Sequence, residues 1–315
     1  MAVKVVATAF GGPEVLAVVE EAVPGPGPGQ VSVEVRAVGT NPVDYKLFSG
    51  EFGADPTRLP MPVGSEAAGV VTAVGSDATG PGGPVRPGDD VILYPITGAY
   101  ASRVVVGVDA AVAKPAQLSF EEASGLMLTG TTAVHALTAT GVGPGDTVVI
   151  HGASGGVGLM AVQLALADGA RVIGTAGEAG HAHLRRLGAE PVAYGDGLLD
   201  RISALAPGGV DAAIDTVGTD EAVDVSVALV VDRDRIATIA AFQRGLELGL
   251  RVLGGAPGAD PGIEVRGAAR LELVRRAGAG TLSVLVAGTY PLAEAADALR
   301  RLAGGHTRGK IVLIP

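Results

Sequence analysis

His151-Gly152-Ala153-Ser154-Gly155-Gly156-Val157-Gly158 follows the run Val148-Val149-Ile150 and leads into an apolar stretch that closes at Asp168. Small residues at such a turn let a pyrophosphate approach the backbone, and the helix that opens there offers free N–H groups and the positive end of its dipole. The pattern is Ala-x-Gly-x-x-Gly, with Ala153 in place of the first glycine. Ser154, Gly155, Gly156, Val157 and Gly158 are therefore candidate cofactor contacts. A glycine-rich packing turn would use the same residues, and the location favours binding. Asp146 to His151 reads as a short buried strand, Val157 to Asp168 as an apolar helix and Arg171 to Thr175 as a second strand. A strand, glycine turn, helix and strand in that order begin a doubly wound parallel sheet.

Outward from this unit the alternation continues. Glu121 to Ala139 precedes it as a helix. A helix around His181 to Leu187, a strand at Ala212 to Asp215, a helix near Glu221 to Val230 and strands at Arg235 to Ala240 and Leu250 to Leu253 follow. The opening third has a different period. Val31, Val33, Val35 and Ala37 alternate with Ser32, Glu34 and Arg36, as in a half-buried strand, and the apolar runs Ala67 to Val74 and Val91 to Tyr94 lie between Gly, Pro and Asp. Short strands at this density predict a barrel-like β module. The tail, with a strand near Leu282 to Ala287, a helix at Leu292 to Ala303 and a strand at Lys310 to Ile314, is expected to return to that module. The expected division is 1–118, 119–255 and 256–315, in an α/β chain.

At 315 residues, two domains are the default. The chain has no cysteine, which excludes disulfides, thiolate nucleophiles and cysteine-ligated zinc. A net charge of -10 argues against a nucleic-acid partner. Mean hydropathy is +0.41, but no apolar run approaches the ~20 residues that span a bilayer, and Met1 to Phe10 lacks the cationic start of a signal segment. A soluble, cytoplasmic protein without a membrane partner is expected.

The turn also fits Gly-x-x-x-Gly-x-Gly through Gly152, Gly156 and Gly158, as in short-chain dehydrogenases. Those enzymes need a Tyr-x-x-x-Lys pair, and none of Tyr45, Tyr94, Tyr100, Tyr194 and Tyr290 has Lys four positions on. A different likeness covers nearly the whole chain. Asn41-Pro42-Val43-Asp44-Tyr45-Lys46, Gly64-Ser65-Glu66-Ala67-Ala68-Gly69, Arg86-Pro87-Gly88-Asp89, Gly98-Ala99-Tyr100, Leu128 to Leu137, the glycine turn, Asp215-Thr216-Val217-Gly218 and Gly309-Lys310-Ile311-Val312-Leu313 stand in the order of family landmarks. On these motifs the chain resembles the medium-chain dehydrogenase/reductase family, in its zinc-free quinone oxidoreductase branch. The resemblance implies a GroES-like β-barrel catalytic domain, an inserted Rossmann domain that binds NAD(P), a cleft between them for nicotinamide and substrate, and a homodimer.

Zinc-dependent relatives carry Cys where Asn41 stands and His where Ser65 stands. Both ligands are missing, and His135, His151, His181, His183 and His306 show no ligand spacing, so no metal site is expected. Without a Lewis acid, hydride addition to a quinone or an activated C=C bond of an enone or alkenal is favoured over alcohol oxidation. NAD enzymes of this fold hold the ribose 2′-hydroxyl with an acidic residue about 20 residues past the turn. Here the strand ends Ile173-Gly174-Thr175-Ala176-Gly177 without a carboxylate, which favours NADPH. His181, Arg185 and Tyr194 are the candidate partners of its 2′-phosphate, Tyr194 by its resemblance to a family tyrosine that follows the Leu-Gly-Ala turn, here Leu187-Gly188-Ala189. Thr175 and Gly177 are candidate cofactor contacts at the strand end, although Arg185 and Arg186 also suit a solvated helix face and Glu178 lies close by.

By resemblance, Thr129 and Thr131 approach the nicotinamide, Thr216, Val217, Gly218 and Ala240 to Phe242 line the cofactor groove, and Lys310 reaches the cleft. The resemblance also makes Asn41, Asp44, Tyr45 and Lys46 a polar cluster that positions substrate or nicotinamide and relays a proton. The plainer alternative has Asp44 capping the next turn and Lys46 in solvent. Two functions remain beside the quinone or enone reductase: a biosynthetic enoyl-type reductase with a private substrate, and a dinucleotide-binding protein without turnover.

Overall fold

The computed structural model describes residues 1–315. The chain divides into two compact units, residues 1–128 with 270–315, and residues 129–269. The borders expected at 118/119 and 255/256 come too early. Both borders fall inside helices, Met127–Ala139 and Ile263–Gly278, and a helical period does not say on which sheet a helix packs. The stretch read as one helix from Glu121 is two, broken at Gly125. The first, Phe120–Ser124, opens on a reciprocal cap in which Ser119 Oγ accepts the Glu122 N–H and the Glu122 carboxylate accepts the Ser119 N–H. It lies on the first unit's sheet so closely that a Cβ on Gly39 would sit 2.1 Å from the Ser124 carbonyl oxygen.

The first unit is built on strand Gln30–Gly39, whose Val31, Val33, Val35 and Ala37 are buried as the alternation predicts. It pairs antiparallel with Ala67–Val74, Arg103–Gly107 and Lys310–Ile314. Register shifts at Ser32/Val33 and Val35/Ala37 bend it enough to serve three neighbours, the device by which a sheet curls towards a barrel. Asp90–Leu93 and Ala111–Ala113 extend the sheet at one end, and Val286–Pro291 extends it beyond Lys310–Ile314 at the other. The expected strand at Leu282 to Ala287 thus lies a few residues later, and the tail's last strand closes onto the first module. Phe48, Tyr100 and Leu299 fill the interior with Val and Ala from the strands.

The second unit holds six parallel strands in the order Glu190–Val192, Arg171–Thr175, Thr147–His151, Ala212–Asp215, Ile236–Thr238 and Arg251–Val252. Numbered along the chain, that is 3-2-1-4-5-6, the Rossmann order. Val149, Ile173 and Ala213 on one face pack on Leu198, Ile202 and Val223 of the covering helices. The strand order reverses between Thr147–His151 and Ala212–Asp215, and a doubly wound sheet binds ligands at the carboxyl ends of strands where its order reverses. No helix in the chain is long and apolar enough to cross a membrane.

Candidate functional site

The glycine turn occupies that reversal point. Gly152 has φ +73, in the left-handed region, and a Cβ there would meet Thr216 Oγ1 and Val217 Cγ1 at 2.6 Å, so only glycine fits. A Cβ on Gly158 would lie 2.2 Å from the Gly152 carbonyl oxygen, which lets helix Gly156–Ala167 press against the turn. The departure at Ala153 is accommodated by its neighbour. A Cβ on Gly174 would come within 2.7 Å of the Ala153 methyl, so glycine on the second strand makes room for alanine in the turn. The turn is tied to that strand by Ala153 N–H on the Thr175 carbonyl (2.9 Å) and Gly152 N–H on Thr175 Oγ1 (3.3 Å). At the start of the helix Gly155 supplies no side-chain cap, so its dipole end is free of a competing carboxylate.

Asp215, fully buried at the end of the fourth strand, organises the facing loops. Its Oδ1 accepts the N–H groups of Val217 and Gly218 at 2.9 Å each, and its Oδ2 accepts the Thr238 hydroxyl at 2.7 Å. Thr238 Oγ1 in turn accepts Ala240 and Ala241 N–H, and Thr216 Oγ1 donates to the His151 carbonyl at 2.7 Å. Thr216, Val217, Gly218 and Ala240 are thereby gathered beside Gly152, with Phe242 opening the next helix. Val217 stays 48% exposed, an apolar side chain left open beside the glycine turn. The sequence signal for Asp215 is a carboxylate that ends an otherwise apolar strand, Ala212–Asp215.

His151 is buried between Thr175 and Asp215. Its Nδ1 lies 3.3 Å from Thr175 Oγ1, its Nε2 has no partner, and burial holds its pKa down at about 4 against the pull of Asp215 and Glu221. At the end of the second strand Ala176 is buried and Gly177 begins helix Glu178–Leu187. The Tyr194 hydroxyl stands 3.6 Å from where a Gly177 Cβ would be, and His181 Nε2–H donates to the Ala176 carbonyl at 3.0 Å. Gly177, His181 and Tyr194 therefore converge. Arg185 is exposed in the last turn of this helix, about 10 Å along the helix axis from the strand end.

The barrel unit contains a second cluster. Asn41 lies two residues past the end of the long strand and is the N-cap of helix Pro42–Ser49, with Pro42 at the first helical position, where its missing N–H costs nothing. Asp44 caps this helix: its Oδ2 accepts Asn41 N–H (2.8 Å) and the Tyr100 hydroxyl (3.0 Å), while Ser65 Oγ lies 3.4 Å from Oδ1. Gly64, at φ +97, lets the Tyr100 ring lie where a Cβ would be 2.3 Å from it. The Lys310 ammonium donates to the Thr40 carbonyl (2.7 Å), Asn41 Oδ1 (2.5 Å) and Glu66 Oε1 (3.0 Å). Glu66 also accepts Asn41 Nδ2–H at 3.0 Å and Leu128 N–H at 2.8 Å.

Burial, reinforced by repulsion from Glu66, pushes the Asp44 carboxyl up to about 7, despite the Asn41 N–H, Lys310 and Tyr100. Burial and the neighbouring Asp44 push the Tyr100 phenol well above its ordinary value. Of the four candidates, Asn41 and Asp44 lie in this cluster. Tyr45 packs half-buried against the barrel core, its phenol raised by burial and by Glu51, and Lys46 pairs with Glu51 at 2.9 Å. Lys310 was expected at the cofactor, yet all three of its donors are taken within the barrel. Glu66 and Tyr100, which lie outside the expected set of site residues, complete the cluster. Thr129 and Thr131 are buried in helix Met127–Ala139.

Residues 27–116 match the alcohol dehydrogenase GroES-like domain and residues 156–270 the zinc-binding dehydrogenase domain. The chain is 32% identical to a quinone oxidoreductase of Pseudomonas aeruginosa over all of both chains, and 39% identical to the trans-enoyl reductase tazE of Aspergillus terreus over 58% of this chain and 64% of that one. It spans about half the length, 50 to 54%, of the quinone oxidoreductases that head the curated relatives it matches. The structure of Escherichia coli quinone oxidoreductase complexed with NADPH is similar at a TM-score of 0.85 and 30% identity, over 99% of this chain and all of that one. The chain belongs to the medium-chain dehydrogenase/reductase family and is related to its zinc-independent quinone oxidoreductases.

The matched domain's description names zinc, and the residues here do not fit it. There is no cysteine, and nowhere do three His, Asp or Glu side chains converge. Asn41 and Glu66 already hold an ammonium between them, a fixed cation that would repel a metal ion placed there. His135, buried on its helix, is engaged by Asp260 at 3.1 Å and Arg266 at 3.3 Å.

Proposed function

We propose that this chain is a zinc-independent oxidoreductase that takes hydride from NADPH and delivers it to a quinone or to the activated C=C bond of an enone or alkenal. The observation that carries the proposal is the uncapped glycine turn at the strand-order reversal, with the Asp215-organised loops gathered around Gly152. Such a site takes a dinucleotide with its pyrophosphate over Ser154, Gly155, Gly156, Val157 and Gly158. The strand end supports the phosphorylated cofactor: it has no carboxylate to repel a 2′-phosphate, and Gly177, His181 and Tyr194 meet there. The relative solved with NADPH points the same way.

The cofactor, when bound, supplies the hydride. The chain's residues hold it; within the barrel unit, Asn41 and Asp44 belong to a buried, hydrogen-bonded cluster. Reduction of a quinone by hydride leaves an oxyanion that takes its proton from water, so no side chain is compelled to be a general acid. A steady-state scan of NADPH oxidation against quinones, alkenals and enones tests the proposal. Turnover with one acceptor class is the expected result, and tight NADPH binding without turnover on any of them would replace the enzyme with a dinucleotide-binding protein. The similarity to the trans-enoyl reductase tazE favours a second acceptor class, an enoyl compound, which belongs in the same scan. A homodimer and a cytoplasmic location complete the proposal; sedimentation tests the first.

A further inference from the structure

We infer that Arg201 is a positioning residue for cofactor selection, because it fixes the loop that presents Tyr194. The inference rests on the reading of the strand end as the 2′-phosphate site. Arg201 lies in helix Leu198–Leu205, and its guanidinium is spent on backbone carbonyls. Nε and Nη2 donate to the Ala193 carbonyl at 3.2 and 2.8 Å, Nη2 to the Gly195 carbonyl at 2.9 Å, and Nη1 to the Asp196 carbonyl at 2.6 Å. From a different helix, Asp220–Leu229, Glu221 accepts the Gly195 N–H at 3.0 Å.

The peptide groups on both sides of Tyr194 are therefore held, one through the Ala193 carbonyl and the other through the Gly195 N–H. Gly195 at φ +97 and Gly197 at φ +79 turn the chain sharply enough for one guanidinium to reach three carbonyls. Tyr194 itself is 51% exposed, with its hydroxyl beside Gly177. An exposed tyrosine on a free loop would lose backbone freedom on meeting a phosphate. Here that freedom is removed beforehand, so the hydroxyl is pre-organised for an anion on the ribose. The planar fork of arginine suits several carbonyls at once, and an ammonium at the same place cannot span them.

The test is a double-mutant cycle with Tyr194→Phe and Arg201→Gln, read as NADPH and NADH affinities by fluorescence titration, with thermal melts of each variant. Loss of one well-placed hydrogen bond to a charged group corresponds to roughly tenfold in affinity. Arg201→Gln is expected to weaken NADPH by about that much and NADH by less than about twofold, and the double variant should be no weaker than Tyr194→Phe alone. Arg201→Lys should fall between wild type and Arg201→Gln, and it serves as the variant if the glutamine form melts early. Additive losses, or equal losses for both cofactors, would overturn the role of Arg201 while a wild-type NADPH preference and a Tyr194→Phe defect stand. Equal wild-type affinities with an inert Tyr194→Phe would instead overturn the cofactor reading on which the inference rests.

Discussion

Replacing Asp44 by asparagine should make the protein more stable at alkaline pH and leave it little changed at acid pH. The carboxyl is buried and pushed up from 3.8 to about 7, so between those values the folded state carries a proton that the unfolded state has released. Stability contributed by this group is fully present below about pH 4 and is lost as pH rises through about 7. Three units correspond to about 4 kcal/mol, and the part that falls between about pH 5.5 and 8.5 is about 2 kcal/mol. Asparagine is isosteric with the protonated acid. Its carbonyl can accept from Asn41 N–H and Tyr100 OH as Oδ2 does, and its amide can donate towards Ser65 Oγ, so no buried donor is orphaned. Urea midpoints of wild type and Asp44→Asn at three pH values read the difference, in which contributions of other titrating groups cancel. The gap should open by about 2 kcal/mol towards pH 8.5. Parallel curves would refute burial as the dominant influence on Asp44.

Lys310→Met should cost about 3–5 kcal/mol, since it leaves Glu66 as an unpaired buried charge, and adding Glu66→Gln should recover part of the loss in the same urea titration. His151 slopes the opposite way from Asp44: held at about 4 against an ordinary 6.5, it stays neutral when folded, so stability falls as pH drops through that window. His151→Asn should flatten that acid limb, and an unchanged limb would show that another group causes it. Gly155→Val should abolish NADPH binding and keep the thermal melt, because its Cβ meets only the Gly152 carbonyl oxygen at 3.3 Å; Gly158→Ala, at 2.2 Å from that atom, should also lower the melt. Ala176→Asp should reverse the cofactor preference towards NADH, and unchanged NADPH and NADH affinities would place the 2′-phosphate elsewhere.

The glycine turn and its strands were legible because a doubly wound sheet buried on both faces writes its strands as unbroken apolar runs. Arg171 to Thr175, Ala212 to Asp215 and Lys310 to Ile314 fell on their observed bounds. Helix Ile263–Gly278 did not, since it carries charges through most of its length and a glycine inside, which blurs the 3.6-residue period. Leu198–Leu205 escaped because it follows directly on a glycine-rich turn. The same limit holds at the sites. Asn41 and Asp44 share one helix start and were named together, whereas their partners Glu66, Tyr100 and Lys310 come from distant strands and loops and meet only when the sheet closes. Arg185 carries the charge a phosphate asks for, and its place in the last turn of the helix is set by where that helix begins, which composition does not reveal.

The interrupted first unit sets an order of assembly during synthesis. Residues 129–269 are contiguous and can close their sheet while the ribosome is still adding the tail. The barrel cannot do so. Strand Lys310–Ile314 lies inside its sheet, between Gln30–Gly39 and Val286–Pro291, and Lys310 is the ammonium around which Asn41 and Glu66 arrange themselves. Until that strand leaves the exit tunnel, two strand edges stay open and a buried carboxylate waits for its counter-ion. A nascent chain of this protein thus passes through a stage in which its nucleotide fold is complete and its barrel is a half-zipped sheet, the form a chaperone would meet.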